Sequence, residues 1–345
     1  MVIDLSLAQL KAGHEVCVLT EGGSWVDQLR DTRVRVVVRP LPAEPAGLFA
    51  TARVIAGVVR STKSDVVHAH IAGYAFAARL GLLAARRAGP RFVFATVHGL
   101  ADRRDFRRAA LASRLGRFHL VGCAQGVSDD LVGAGAAPSF VITIPNGATL
   151  EAATEDRRAL AKSTFGLGDY PVVMGIGRLV DPKDWPRFIR IMNQVGEQLG
   201  GQVQAVVAGA GTLAAELEEL AAGGVVRFLG RVDDVAGLLA NADLVVSTSK
   251  REGAPLAILE ALSLGLPCVM TPAGAHPEVR KAEGVLVIEG SGPAADDLFS
   301  AEVRRLLENP DDRKALGARG RASASPFSFA SMAKSYEVLY ELHML

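Results

Sequence analysis

Short apolar runs typical of β-strands alternate with helix-like runs along almost the whole chain. The strand-like runs before residue 145 are His14–Thr20, Val34–Val38, Asp65–His70, Arg91–Val97, His119–Cys123 and Phe140–Ile144. Those after it are Val172–Ile176, Val203–Ala208, Val225–Leu229, Asp243–Val246, Pro267–Met270 and Val285–Ile288. Strands that alternate with helices form parallel sheets covered on both faces, so the pattern predicts two doubly wound α/β sheets.

The length of 345 residues also favours two domains, because a single hydrophobic core seldom serves so long a chain. Pro145-Asn146-Gly147 interrupts the alternation, and we place the domains at 1–147 and 148–328, followed by a terminal helix in 329–345. Apolar residues make up 49% and charged residues 22%, a composition with ample core and little disorder. The net charge of +1 argues against a nucleic-acid-binding protein.

The three cysteines, Cys17, Cys123 and Cys268, lie far apart in apolar strand candidates, which favours buried reduced thiols over a disulfide or a metal site. No apolar run approaches the roughly 20 residues that span a bilayer. The first residues lack the basic start and the cleavage site of a signal peptide. These features favour a cytoplasmic location.

The stretch from Ser247 to Thr271 combines a strand end, a polar loop, a helix and a second strand. Proline suits the first position of a helix, so the helix is predicted to begin at Pro255 and to end before Pro267. Amides at a helix start lack an intrahelical partner and, with the helix dipole, favour an anion such as phosphate. The candidate amides belong to Gly253, Ala254, Leu256 and Ala257. The opposite face of this helix is predicted to be buried through Leu256, Leu259, Leu262 and Leu266.

Residues 252–279, EGAPLAILEALSLGLPCVMTPAGAHPEV, resemble the signature of retaining glycosyltransferases of the family 4 type, which have the GT-B fold. The resemblance implies two facing Rossmann-like domains, an acceptor-side first domain and a second domain that binds a nucleotide sugar at the cleft. It also implies that the terminal helix packs back on the first domain. In this family Glu252 would contact the sugar near its reacting carbon and Glu260 the ribose hydroxyls. Gly253, Ala254, Pro255 and Leu256 would cover the pyrophosphate and the sugar.

A second motif, Gly177-Arg178-Leu179 with Lys183, resembles the G-R-L-x-x-x-K motif of the same family, in which the two cations grip the pyrophosphate. Fixed cations stabilise the charge of a departing nucleoside diphosphate without a metal. Because the sequence contains no Asp-x-Asp, we expect no metal and no other cofactor. At the position after Lys183 the family usually has glycine, whereas this chain has Asp184. The resemblance also implies that the nucleotide sugar approaches the backbone closely at Gly209 and Gly211. Its nucleobase would contact the chain around Arg231 and Val232.

Two histidine positions end consecutive strands of the first domain. His68 and His70 share one strand face, but no third metal ligand is evident, so a hydrogen-bonding or structural role is expected. His98 ends Thr96-Val97-His98, which matches the family's T-x-H motif, where the histidine contacts the donor sugar or its phosphate side. We therefore expect His98 to act with Glu252, Arg178 and Lys183; a structural imidazole at a strand end is the alternative.

Four arginines, Arg103, Arg104, Arg107 and Arg108, alternate with Phe106, Leu111 and Leu115 at helical spacing. Such a basic amphipathic helix suits anionic lipid head groups or a pyrophosphate-linked lipid acceptor, which would place the protein at the inner face of the membrane. A solvated helix face is the alternative.

The family begins with a strand and a glycine-rich loop, whereas Met1–Ala12 here already matches the first helix. The first domain is therefore expected to lack its central strand, which leaves an unpaired edge in the middle of the sheet. We interpret this as a start site assigned too far downstream or a truncated copy, with a genuinely shortened fold as the alternative.

The implied function is transfer of a sugar from a nucleotide sugar to a hydroxyl acceptor, with retention and without a metal, in polysaccharide or glycolipid biosynthesis. Two alternatives stay open. One is a catalytically inactive, truncated glycosyltransferase-like protein. The other is a nucleotide-sugar epimerase, which shares the two-domain architecture.

Overall fold

The computed structural model describes residues 1–42, 47–84, 92–99, 103–272 and 277–344. By contact the chain divides into two units, one of Met1–Pro145 with Ala330–Leu345 and one of Asn146–Phe329. The sequence also predicts a helix over Gly73–Ala88. Parts of three predictions lie outside the described residues: the end of this helix, the first residue of the strand Arg91–Val97, and positions 273–276 of the signature.

The first unit alternates helices with strands. Its elements are α1 (Val2–Lys11), β1 (Cys17–Thr20), β2 (Arg35–Val38), α2 (Leu48–Thr62), β3 (Val66–Ala69), α3 (Ala72–Ala84), β4 (Phe92–Val97), α4 (Arg103–Gly116), β5 (His119–Gly122), α5 (Gln125–Gly133) and β6 (Val141–Thr143). The strand pairs described in this unit are parallel. Every residue of β4 is buried, as expected of a parallel strand that helices cover on both faces.

The strands of the first unit form two sheets in the part of the chain that the structure describes. β1 pairs with β2, and a separate four-stranded sheet has the order β3-β4-β5-β6. No described strand links the pair β1-β2 to the four-stranded sheet. This division is consistent with the unpaired edge that the resemblance predicts within the first domain.

The second unit contains one six-stranded parallel sheet. Its elements are α6 (Glu155–Thr164), β7 (Val172–Ile176), α7 (Trp185–Gln198), β8 (Gln204–Ala208), α8 (Ala214–Leu220), β9 (Val226–Gly230), α9 (Val235–Leu239), β10 (Leu244–Ser247), α10 (Leu256–Ser263), β11 (Cys268–Met270), β12 (Val285–Val287), α11 (Pro293–Glu308) and α12 (Pro310–Ser323). The strand order is β12-β11-β10-β7-β8-β9. Neighbouring residues of β7 point to opposite faces, so Val173 joins the core under α7 and Met174 joins the core under α10.

Helix α10 is shorter at both ends than the sequence predicts. Pro255 precedes the helix instead of opening it, because its ψ of 70° lies outside the helical range. Gly265, with φ of +79°, ends the helix, and the N–H of Leu266 donates to the carbonyl of Ala261. Leu266 therefore lies beyond the helix, and Leu259 and Leu262 are the fully buried leucines of this face.

The last helix, α13 (Phe329–Met344), belongs by contact to the first unit from Ala330 onward. Tyr336 is fully buried, and its hydroxyl lies 2.8 Å from Oγ1 of Thr96 on β4. The helix thus packs on the four-stranded sheet of that unit.

Two global features complete the fold. None of the described helices has the length and apolarity needed to cross a bilayer. Cys17, Cys123 and Cys268 are free thiols, and burial raises the pKa of Cys123 to about 12.

Candidate functional site

The strand order of the second unit defines where a ligand is expected. Successive strands run outward from β7 in one direction and from β10 in the other, so the order reverses between these two neighbours. In open parallel sheets ligands bind beyond the carboxyl ends of the strands at this switch point. The loops at that position are residues 177–184 after β7 and 248–255 after β10.

Lys183 and Glu252 meet across this switch point. The ammonium of Lys183 pairs with Oε1 of Glu252, and Oγ of Ser249 donates to the same oxygen at 2.8 Å. The side chains are 19% and 11% exposed, so water screens the pair only in part. Two residues that the sequence predicts for the donor site, 69 positions apart, thus form one charged centre.

Hydrogen bonds between the two loops hold this ion pair in place. Oγ1 of Thr248 donates to the carbonyl of Asp184 at 2.9 Å, and the N–H of Lys250 donates to the carbonyl of Pro182 at 2.9 Å. Oγ1 of Thr271 donates to the carbonyl of Ser249 at 2.6 Å. These hydrogen bonds hold the loop 248–255 against the loop 177–184 and against Thr271, around the ion pair.

Asp184 shows why the family usually has glycine at this position. Its φ of +51° and ψ of 48° are left-handed, and the residue caps the start of α7. Glycine adopts this conformation without strain, and aspartate is among the side chains that tolerate it. The departure from the family pattern is therefore compatible with the local backbone.

The glycines of the loops after β7 and β8 are explained by contacts within the protein. A Cβ on Gly209 would lie 1.8 Å from the carbonyl oxygen of Gly177, and a Cβ on Gly211 would lie 2.2 Å from that of Leu179. The N–H of Gly177 donates to the carbonyl of Ala208 at 3.0 Å. Close approach between two backbones thus requires glycine here, in addition to the ligand approach that the resemblance implies.

The start of α10 offers fewer amides than the sequence predicts. The N–H of Leu256 donates to the carbonyl of Ala254 at 2.9 Å, so it is not available to an anion. This correction follows from the turn at Pro255, which folds the chain back before the helix. A cavity of about 20 Å³, lined by Lys183, Glu252 and the first turn of α10, has room for one water molecule.

Other residues predicted for the donor site lie around this centre. Arg178 is exposed, and its carbonyl accepts a hydrogen bond from Nε1 of Trp185 at 2.8 Å. Arg231 is exposed and pairs with Asp233 at 3.0 Å, next to the half-buried Val232. Glu260 lies half-buried in the second turn of α10, whereas Gly253 precedes the helix. The structure thus brings Lys183 and Glu252 into direct contact, while Arg178 makes no ion pair with a described residue.

His98 lies in the first unit, beside a histidine that the sequence assigned no role in transfer. Nδ1 of His70, which follows β3, is 3.1 Å from Nε2 of His98, which follows β4. Burial lowers the pKa of His70 to about 3 and that of His98 to about 4, so both rings are neutral near pH 7. The ring of His68 stacks on His70 at 4.3 Å, as their shared strand face predicts.

No group of three or more His, Cys, Asp or Glu residues is arranged for a metal within the described ranges. The signal for the His70–His98 pair was present in the sequence, because each histidine directly follows one of two consecutive strands. The hydrogen bonds that Thr248 and Ser249 make around the ion pair were harder to predict. The sequence indicates them only through the Ser-Thr-Ser run before Glu252.

The arginines of α4 face outward. Arg103, Arg104, Arg107 and Arg108 are exposed, and Arg108 pairs with Asp105 at 3.3 Å. Phe106 is buried, whereas Leu111 and Leu115 are 56% and 66% exposed. The first unit holds 19 Lys and Arg against 13 Asp and Glu, so its basic excess lies in the same unit as this helix.

Comparison with known proteins gives two family matches. The profile described as "Glycosyl transferases group 1" matches residues 170–309, and the profile described as "Glycosyltransferase Family 4" matches residues 1–152. Together they cover most of both units.

Curated relatives belong to the same class. A GDP-mannose-dependent alpha-(1-6)-phosphatidylinositol dimannoside mannosyltransferase of Mycobacterium tuberculosis is 29% identical over 70% of this chain, and the match spans 59% of that protein. A UDP-Gal:alpha-D-GlcNAc-diphosphoundecaprenol alpha-1,3-galactosyltransferase of Escherichia coli is 28% identical over 74% of this chain and 70% of its own length.

Solved structures share the fold. A glycosyltransferase from Rickettsia africae superposes with a TM-score of 0.82 at 15% identity, covering 99% of this chain and 93% of the other. HepE from Anabaena, solved in complex with UDP and glucose, superposes with a TM-score of 0.81 at 20% identity, covering 99% and 96%. These likenesses establish the GT-B fold. The two matching profiles, one over each unit, show that the chain belongs to the family 4 glycosyltransferases.

Proposed function

We propose that this chain transfers a sugar from a nucleotide sugar to a hydroxyl acceptor, with retention at the anomeric carbon and without a metal. The observation that carries the proposal is the Lys183–Glu252 centre at the switch point of the second unit. A cation at this position can bind the pyrophosphate of a donor, and a carboxylate beside it can bind sugar hydroxyls. Names of the relatives, which include a GDP-mannose-dependent enzyme and a UDP-Gal enzyme, support a nucleotide sugar as the donor.

In the proposed reaction the bond between the anomeric carbon and the β-phosphate oxygen breaks as the acceptor oxygen bonds to the same face of that carbon. The acceptor proton passes to the leaving phosphate, so no covalent nucleophile is required. Lys183 and Arg178 stabilise the charge that develops on the phosphate, in the role that a metal has elsewhere. Glu252 binds the sugar and stabilises positive charge at the anomeric carbon, and Glu260 binds the ribose.

Donor binding has to rearrange the ion pair. Lys183 is paired with Glu252, and the adjacent cavity has room for one water molecule. A phosphate that recruits Lys183 would leave the Glu252 carboxylate with Ser249 as its partner and open to a sugar hydroxyl. The donor is thus proposed to exchange one ion pair for another, which avoids leaving a half-buried charge uncompensated.

The test is a transfer assay with UDP-, GDP- and ADP-sugars, in buffer with and without a chelator, in which NMR assigns the anomeric configuration of the product. Lys183→Met and Glu252→Gln are expected to lower kcat by about 100- to 1000-fold, the usual loss when one group that stabilises developing charge is removed. Glu260→Ala is expected to raise the KM of the donor. Lys250→Met, which removes a neighbouring exposed cation, is the matched control and should retain activity.

An inverted product or loss of activity with the chelator would contradict the corresponding part of the proposal. Equal activity of Lys183→Met and Lys250→Met would remove its basis.

We also propose that α4 brings the protein to an anionic membrane surface at the cytoplasmic side, where a lipid-linked acceptor would be found. The supporting features are the four outward arginines, the exposed Leu111 and Leu115, and the basic excess of this unit. Each arginine near an anionic surface contributes about 1 kcal/mol, which is about fivefold in affinity. The lipid acceptors in the names of the relatives support an acceptor of this kind.

Vesicle co-sedimentation tests this part of the proposal. Replacing the four arginines of α4 with glutamine should abolish binding to vesicles that contain anionic lipid. Replacing the exposed Arg319 and Arg321 of α12 with glutamine is the control and should leave binding intact. Unchanged binding of the α4 variant would contradict the proposal.

A further inference from the structure

His70 and His98 form a hydrogen bond between two imidazole rings at the carboxyl edge of the first unit. The distance from Nδ1 of His70 to Nε2 of His98 is 3.1 Å, and the ring planes differ by 8°. One ring has to donate and the other has to accept across such a contact.

Burial lowers the pKa of His70 to about 3 and that of His98 to about 4, so both rings are neutral near pH 7. A neutral imidazole carries a proton on one nitrogen and a lone pair on the other. The two rings therefore share one proton across the contact, and the tautomer of His98 is coupled to the tautomer of His70.

His70 is the more firmly held member of the pair. Its ring stacks on His68 at 4.3 Å, and His68 in turn stacks on Phe94 at 4.1 Å. Nε2 of His68 lies 2.7 Å from Oγ1 of Thr96, and its Nδ1 lies 3.2 Å from the Tyr340 hydroxyl. His70 thus rests on a ring whose two nitrogens both have partners.

The hydrogen bonds of His68 continue to other elements of this unit. The side-chain amide of Gln9 donates to the Tyr340 hydroxyl at 2.6 Å, and that hydroxyl lies 3.2 Å from Nδ1 of His68. Residues of α1 and α13 thereby fix the ring that supports His70.

We infer that His70 is a positioning residue, which donates its Nδ1–H to Nε2 of His98 and so holds His98 with its own proton on Nδ1. The direction of this hydrogen bond rests on the proposed function, whereas the contact between the two rings does not. Ionised phosphate oxygens only accept hydrogen bonds, so a neutral histidine that binds a phosphate has to present an N–H. When Nε2 of His98 accepts from His70, that N–H is the one on Nδ1.

Two variants of similar shape isolate the hydrogen bond. His70→Asn keeps an N–H near the position of Nδ1, whereas His70→Leu fills a similar volume without a donor. NMR of the full chain with ¹⁵N-labelled histidine, without ligand, reports the tautomer, and the spectrum of His98→Gln identifies the His98 signals.

The expected spectra of the wild type and of His70→Asn show His98 protonated on Nδ1, and that of His70→Leu shows a mixture of tautomers. In the transfer assay His70→Leu should lower kcat by about 10- to 100-fold with an unchanged KM for the acceptor, because a misplaced group slows the chemical step. His70→Asn should restore most of kcat.

A wild-type His98 protonated on Nε2 overturns the inference, and so does a His70→Leu protein with the wild-type spectrum and the wild-type kcat. If the wild type transfers no sugar, the proposed function fails while the spectra still decide the inference. If His70→Leu does not fold, the spectra of the wild type and His70→Asn decide it.

Discussion

At the scale of single residues, Gly209 carries a constraint that comes from the protein and not from a ligand. A Cβ there would lie 1.8 Å from the carbonyl oxygen of Gly177, and φ is +157°. Backbone has to move to relieve such a contact, so we expect Gly209→Ala to destabilise the second unit by more than about 3 kcal/mol. Urea unfolding followed by Trp185 fluorescence, in a Trp25→Phe background, measures this.

Gly201→Ala is the control for Gly209→Ala. Gly201 has φ of +79° but no atom of the described residues within 4 Å of its added Cβ, so this variant should cost only the strain of a left-handed alanine, about 1 kcal/mol. If both variants lost the same free energy of unfolding, the backbone after β8 would move to accommodate the Cβ, and the expectation for Gly209→Ala would be wrong.

The buried histidines make stability depend on pH. Their pKa in the folded state, about 3 for His70 and about 4 for His98, is below the value of about 6.5 expected in the unfolded chain. The unfolded chain therefore binds more protons between these values, and stability is lost as the pH falls from 6.5 toward 4. Each histidine is expected to lower the free energy of unfolding by about 2 kcal/mol between pH 7.5 and pH 5.

Urea unfolding at pH 7.5, 6.5 and 5 checks this pH dependence by comparing the wild type with His70→Asn. Asparagine does not titrate, so the variant should lose less stability over the range. The same loss in both proteins would show that His70 does not contribute.

The roles predicted for the motif residues in transfer stay predictions, but the structure shows which of these residues lie together. Lys183 and Glu252 belong to two motifs that the structure joins in one ion pair. The amide of Leu256 was placed wrongly, because its donor role depends on the ψ of Pro255 and no local pattern specifies that angle. The sequence shows that His70 ends a strand. Its contact with His98 depends on the pairing of β3 with β4, which only the three-dimensional structure reveals.

At the scale of elements, α7 and α11 are joined by a buried charge pair. Nε of Arg187 donates to Oδ1 of Asp296 at 2.6 Å, and the two residues are 6% and 7% exposed. Nη2 of Arg187 has no hydrogen-bond partner among the described residues. Asp296→Ala leaves the arginine buried and uncompensated, and we expect it to cost about 3 to 5 kcal/mol in urea unfolding.

The double variant Arg187→Met, Asp296→Leu removes both charges and should recover most of that loss, since two apolar side chains need no partner. Arg190, which is 59% exposed and bonds the same carboxylate, provides the control, and Arg190→Ala should cost less than about 1 kcal/mol. A cost of Asp296→Ala as small as that of Arg190→Ala would contradict the expectation.

Most strands and helices were predictable because the pattern of apolar residues that defines each of them lies within a short stretch of sequence. The strand Val172–Ile176 has the predicted bounds, and most other elements differ by a few residues at their ends. The end of α10 could have been read from Gly265, which has the position of a helix-ending glycine. The division of the first unit into two sheets could not be read from the alternation, because pairing between strands is not encoded in their spacing.

At the scale of the whole molecule, the net charge of +1 conceals an uneven distribution. The first unit has 19 basic and 13 acidic residues, whereas the second has 19 basic and 24 acidic residues. The total charge disfavours a nucleic-acid-binding role, but it does not reveal the basic excess of the unit that carries α4. The division into units, in which α13 belongs to the first unit from Ala330 onward, assigns each charged residue to one unit.

The two units should also respond differently to a nucleotide. The second unit holds the switch-point loops and its own two-sided core, so a nucleoside diphosphate should slow amide exchange in 177–184 and 248–263 and leave β1 and β2 unchanged. At about a hundred times its dissociation constant, the ligand should stabilise the unit that binds it by about 2.7 kcal/mol.

Hydrogen exchange with UDP, GDP and ADP in parallel tests this and identifies the base, because the protection should be selective for one of them. Lys183→Met should lose most of the protection, whereas Lys250→Met should keep it, since the latter cation pairs with the exposed Asp181 and Asp184 lies 3.9 Å away. Protection confined to the first unit would contradict the assignment of the donor site. The absence of protection with every nucleotide would mean that the Lys183–Glu252 pair does not open to a diphosphate.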